Sequence, residues 1–168
     1  MARIRRVRDG GELGMVIVES AAVLGVAMAA CATRRTQIFH ALGGPIAHRQ
    51  LVTFSPDEAR WNAVRVVVLS AILLSLPIVA YKLSAYALPT TGGIDPALLA
   101  VPVLCLAGIV VGWLAVLPVG VHDLTHYGHP THEYLPRASD YIDFSLGTLI
   151  ASGAGGAALG VCALRRAG

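Results

Sequence analysis

Four long apolar runs alternate with short polar ones along this chain, and that alternation predicts its elements. The most telling run lies between Pro56 and Pro89, where Val64 to Leu88 is too apolar and too long for a surface helix. Coiled as an α-helix it reaches about 37 Å, enough to cross a hydrocarbon core of about 30 Å with some tilt. Ser55-Pro56-Asp57-Glu58 reads as the helix start, with Ser as cap, Pro at the first helical position and carboxylates in the first turn. Pro77 falls in mid-span, where it removes a backbone donor and bends the helix. Tyr81 and Tyr86 lie toward Pro89, where amphipathic rings mark a membrane–water interface. The whole element is predicted over residues 57–88.

The remaining runs predict helices over 13–32, 97–121 and 141–164. Between the first two, TQIFHALGGPI (36–46) is short and amphipathic, and reads as an interfacial helix or, failing that, a plain loop. Pro102, Gly108, Gly112 and Pro118 interrupt the third span, which should bend and offer small-residue packing faces. Gly147, Gly153, Gly155, Gly156 and Gly160 mark the fourth as a close-packing helix, and TTGGIDP (90–96) is a tight turn by composition. The fold class is therefore all-α: a polytopic membrane protein with four transmembrane helices, residues 1–168 forming one membrane domain.

Charge sets the expected orientation. Arg3, Arg5, Arg6 and Arg8 precede the first apolar run and imitate a secretory signal, but Glu19 interrupts that run and three spans follow, so it is read as an uncleaved helix. Arg5-Arg6 lacks the Ser-Arg-Arg-x-Phe-Leu surroundings of an export signal. Arg165-Arg166 closes the sequence. Four spans put both basic ends on one side, which the positive-inside rule makes cytoplasmic. Arg34, Arg35, Arg49 and Arg60 then face outside, against that rule.

Composition agrees. Only 14% of the 168 residues are charged and 55% are hydrophobic, against about 25% charged in ordinary soluble domains. The net charge of +3 does not point to nucleic acid, because the basic residues cluster at the termini and beside the spans. Cys31, Cys105 and Cys162 form no CxxC pair and read as small buried hydrophobes. There is no nucleophile–base arrangement, phosphate loop or paired-carboxylate site, so neither enzyme chemistry nor a cofactor is expected. His122, His126, His129 and His132 form the one metal-like cluster. His122 and His126 have the spacing to share a helix face, but Gly128 and Pro130 break any helix, and a polar loop is the plainer reading. Glu19 is an ionisable group inside a span, read as functional, protonated, paired or drawn to the interface. Arg65 and Lys82, near span ends, read as snorkelling.

LSLPIVAYKLSAYALP (74–89) resembles the second transmembrane helix of TatC, the core receptor of the twin-arginine protein translocase. In that family's S-x-P-x-x-x-Y-Q-x-W-x-F-x-x-P pattern, Ser75, Pro77, Tyr81 and Pro89 match, while Lys82, Ser84 and Tyr86 replace Gln, Trp and Phe. Ser55-Pro56 with Glu58-Ala59 resembles the family's entry to this helix, and Arg65 stands where a Lys is usual. FHALGGPI resembles the first periplasmic segment, Glu12-Leu13 the E-L-R motif, VLPVGV with Pro118 the end of the third helix, and Tyr141, Phe144 and Gly153 the fourth. The departures are four spans where the family has six, Gly14 and Val16 in place of two arginines, and Ala157 in place of a buried Glu.

The resemblance implies a TatC-like subunit of the plasma membrane that binds twin-arginine signal peptides and helps export folded proteins. Its implied partners are membrane lipid, those peptides, small single-span Tat subunits and a second copy of itself. It also places the peptide-binding carboxylates at Glu12 and Asp95, and Arg forks do pair bidentately with carboxylates. Four spans bring the two to one membrane face. The plainer roles are a helix N-terminal charge for Glu12 and a turn with Pro96 for Asp95. Competing readings are a TatC-like scaffold without translocase activity and a four-span metal-handling protein.

Overall fold

The computed structural model describes residues 10–43, 55–88, 96–126 and 138–167. All the described elements are helical. They are α1 (Gly10–Thr33), α2 (Arg35–Gly43), α3 (Pro56–Ala87), α4 (Ala100–Val111), α5 (Leu117–His126) and α6 (Ala138–Ala167). A 3-10 turn, Pro96–Leu99, leads into α4, and a π-turn, Gly112–Val116, joins α4 to α5. Among the described residues, four stretches are long and apolar enough to cross a membrane: Leu13–Thr33, Pro56–Ala87, Ala97–Val121 and Ala138–Arg166.

Local chemistry explains the element ends. Ser55 adopts an extended backbone and its hydroxyl accepts from the Glu58 amide at 3.1 Å, while Pro56 starts the helix where an amide would have no partner. Proline also explains the π-turn. The Pro118 ring sits one turn beyond Leu114, where it would clash with that carbonyl in a regular helix. Widening the preceding turn, so that the Leu117 amide bonds back to the Gly112 carbonyl, relieves the register.

Packing partners fix the topology. Along α1, Glu19 meets Lys82 and then Ala27 and Cys31 meet Ala71, so α1 and α3 are antiparallel. Val101, Cys105 and Ile109 of α4 pack on Leu76 and Ala80 of α3 and on Ala157, Val161 and Leu164 of α6. Arg65 lies by Asp143 and Leu76 lies by Gly153, so α3 and α6 run parallel. The order is up, down, up, down. The start of α1, the end of α3, the Pro96 turn and the end of α6 therefore share one end of the bundle.

Polarity is reversed relative to a soluble bundle. Ile17, Val18, Val26, Leu74, Val103, Leu106, Val110, Leu114 and Leu159 are exposed, while Asn62, Ser70, Ser75, Ser84 and Ser145 are buried. An apolar outside around polar inner positions suits lipid as solvent. Two of these serines bond within their own helix: Ser75 donates to the Ile72 carbonyl at 3.0 Å and Ser84 to the Ala80 carbonyl at 2.7 Å.

Lipid gives apolar helices little reason to associate, so close contact must hold them. The tightest seam is α4 on α6. A Cβ on Gly156 would strike the Leu104 carbonyl, and one on Gly108 the Ser152 carbonyl. A Cβ on Gly160 would lie 2.9 Å from the Val101 Cα. Gly155, next to Gly156, faces open space. We therefore expect Gly156→Leu to lower stability by about 3 kcal/mol through overpacking, and Gly155→Leu to stay within about 0.5 kcal/mol. Thermal unfolding of the two variants in detergent micelles checks this.

Candidate functional site

The end of the bundle that gathers the start of α1, the end of α3 and the Pro96 turn is where the sequence expects a carboxylate site. Glu12 is in the first turn of α1, with its side chain outside the described residues, and Asp95 lies outside them altogether. Arg165 and Arg166 are exposed at this same end.

Two turns deeper along α1, Lys82 of α3 donates a hydrogen bond to the Glu19 carboxylate, forming an ion pair across the α1–α3 contact. The Lys82 side chain is the more enclosed of the two, 29% exposed against 47% for Glu19. Pairing is the physical answer to a charge inside a span, since an isolated one costs about 2.5–3.5 kcal/mol at the bilayer centre. At the other end of α3, Arg65 Nη1 donates to Asp143 Oδ2 of α6 at 3.0 Å. Arg65 and Lys82 are separated by about 25 Å along the helix, close to the hydrocarbon thickness. Each reaches sideways to a neighbouring helix, where the sequence suggested snorkelling to the surface. No local pattern announces these pairs, because the partners are 63 and 78 residues away.

The Arg65 end is closed by α2. Leu42 is buried with Val66, Leu117, Ile142 and Leu146, and Ile38 packs against the same cluster. The Leu42 carbonyl, near the C-terminus of α2, accepts from the buried Tyr141 hydroxyl at 2.7 Å. That bond satisfies one of the carbonyls a helix end leaves orphaned.

These helices and their order fit one family, and its description, Sec-independent protein translocase protein (TatC), matches residues 11–157. The chain belongs to the TatC family. Two curated relatives of the TatC chain are uncharacterised TatC-like proteins, both named ycf43. The one from Cyanidium caldarium is 23% identical over 146 residues, covering 84% of this chain and 61% of its own length. The one from Gracilaria tenuistipitata var. liui is 26% identical over 147 residues, covering 84% and 62%. The chain thus spans about three fifths of the length of these relatives. No solved structure matches it. With its four apolar spans, this TatC chain is a multi-pass membrane protein.

The TatC motif positions are accounted for as follows. Pro56 and Glu58 form the first turn of α3, and Pro77 is buried inside that helix. Tyr81, beside Lys82, is half-buried, and Pro118 is exposed just past the π-turn. Pro89 lies outside the described residues. Ala157, where the resemblance expects a buried Glu, is 9% exposed and packs with Val101 and Cys105.

Cys31 and Cys105 are buried free thiols, but Cys162 is exposed, because it falls on the outward side of α6. Among the described residues no group of three metal-ligating side chains occurs. The side chains of His122 and His126, and all of His129 and His132, lie outside the described residues.

The Tyr141–Leu42 bond generates a test. Tyr141→Phe keeps the ring and removes the donor, and we expect it to cost about 1 kcal/mol and to speed tryptic cleavage at Arg34-Arg35. Limited proteolysis in proteoliposomes measures the change.

Proposed function

We propose that this chain is a subunit of the twin-arginine translocase that binds twin-arginine signal peptides and helps export folded proteins. The observation that carries this reading is the TatC match across residues 11–157. The up-down-up-down topology supports it, since α1's first turn and the Pro96 turn lie at one end of the bundle. In this reading that end faces the cytoplasm, with both termini, and the membrane is the cytoplasmic membrane. The basic residues at both chain ends support that orientation. α2 then lies on the outer surface, with Thr36, Gln37 and His40 exposed to it.

The chemistry is carboxylate on guanidinium. Each arginine of the peptide presents five donors in a planar fork, which one carboxylate can accept in pairs. Glu12 and Asp95 are the proposed acceptors, and they discriminate against a lysine pair because an ammonium lacks the fork. Small single-span Tat subunits, lipid and a second copy of this chain are the proposed partners.

Photo-crosslinking in native membranes tests the reading, using a twin-arginine signal peptide and a twin-lysine control. Selective labelling near Glu12 or Asp95 is the expected result, and unselective labelling of a stably inserted protein would remove it. Glu12→Ala should weaken the arginine-selective labelling about tenfold, the worth of one charge-assisted hydrogen bond, while leaving insertion intact. Replacing His126 and His129 should leave it unchanged.

A further inference from the structure

Among the described residues, four arginines stand at the α2 end of the bundle, and two of them are neutralised there. Arg65 bonds Asp143 at 3.0 Å, and Arg60 lies 3.9 Å from Asp57. Arg34 and Arg35, at the junction of α1 and α2, are exposed, and neither pairs with a carboxylate among the described residues. The plainer role for such arginines is to bond the carbonyls that end α1. Other groups already hold those carbonyls. The Thr33 hydroxyl donates to the Ala30 carbonyl at 2.8 Å, and the Arg34 amide reaches the Ala30 and Cys31 carbonyls at 3.2 Å each. The Arg34 side chain turns forward instead, where Nη1 donates to Gln37 Oε1 at 2.9 Å. That partner is neutral and takes one donor of five.

Depth adds a second observation. Cys31 packs on Ala71, and Arg34 is one turn farther along α1, so it stands near the level of Val68, about 5 Å short of Arg65. Arg65 marks one edge of the hydrocarbon, and a long stem starting just inside it reaches out into the headgroup layer, about 5–7 Å thick. α2 lies across this edge, with Ile38 packed on both the Val66 and the Ala71 clusters and Phe39 exposed. The carboxylates are elsewhere. Asp143 is taken by Arg65, while Asp57 and Glu58 stand about 10–12 Å beyond it along α3. Asp140 belongs to α6, whereas α1 packs on α3 and α2. Two arginines without a counter-charge thus sit at the depth of lipid phosphate.

We propose that Arg34 and Arg35 hold the phosphate of an anionic phospholipid in the leaflet at the α2 end. Guanidinium forks bond phosphate oxygens in pairs. A zwitterionic headgroup brings its own ammonium beside the phosphate, which a second arginine repels, and an anionic headgroup does not. The lipid supplies the charge that the bundle withholds, and it fixes the α1–α2 corner at the membrane edge. The site is the same whichever way the bundle faces, so it stands apart from the twin-arginine reading.

The test uses the full chain in phosphatidylcholine vesicles with a phosphatidylglycerol probe that carries a photoactivatable headgroup, and maps the labelled peptides by mass spectrometry. The expected result is labelling within residues 33–43 that unlabelled phosphatidylglycerol competes away and excess sodium phosphate does not. Arg34→Gln and Arg35→Gln should each lower it about fivefold, and the two together about thirtyfold. Arg60→Gln should leave it unchanged, labelling near Arg165 and Arg166 is the internal reference, and thermal unfolding in detergent reports folding. Should the double variant fail to insert, Arg34→Lys with Arg35→Lys decides: the charge stays, the forks go, and labelling should fall severalfold. Labelling that survives either double exchange overturns the proposal. So does equal labelling of the parent by a phosphatidylcholine probe, or an equal fall in Arg60→Gln, which would mean a diffuse basic surface. Competition by sodium phosphate overturns it too, since the site would then take a free anion and not a headgroup.

Discussion

Backbone contact between α4 and α6 is the constraint on which the rest of the bundle depends. The two helices touch where Gly108, Gly156 and Gly160 lack side chains, so the Leu104 and Ser152 carbonyls meet the opposing helix directly. Dispersion between close atoms replaces the hydrophobic drive that lipid cannot supply. Once that seam is set, α3 lies in the groove beside it, through Leu76 and Ala80 on one side and Val66 on the other. α1 is then attached to α3 and, at its end, to α2. The helix that opens the candidate site is thus the one least enclosed by its neighbours.

Much of this architecture was legible from the order of residues. Run length and apolarity locate the spans because a bilayer has a fixed thickness. Ser55 and Pro56 announce α3 because capping is a local interaction. The glycines of the fourth span foretell close packing, though the sequence alone does not separate Gly156, which touches backbone, from Gly155, which touches nothing. The interruption of the third span was visible in Gly112 and Pro118, while its form, a widened turn, depends on how the helix re-registers around a missing amide.

The charged pairs were less legible, for a physical reason. A charge near a span end has two escapes, the interface or a partner, and the choice is made by what a different helix presents at the same depth. Lys82 and Arg65 found Glu19 and Asp143. Only the assembled bundle shows which depths coincide.

The long separation between Glu19 and Lys82 carries a consequence for biosynthesis. Residues emerge from the ribosome at about 5–20 per second, so the 63 residues between the two charges take roughly 3–13 s to translate. Through that interval the first span carries an acid with no partner of its own. It must either linger at the headgroup boundary or rest against the insertion machinery. The hairpin becomes electrically complete only when the far end of α3 has been made. The commitment of the first helix to its final depth is therefore a late event in the making of this protein, timed by a residue on another helix.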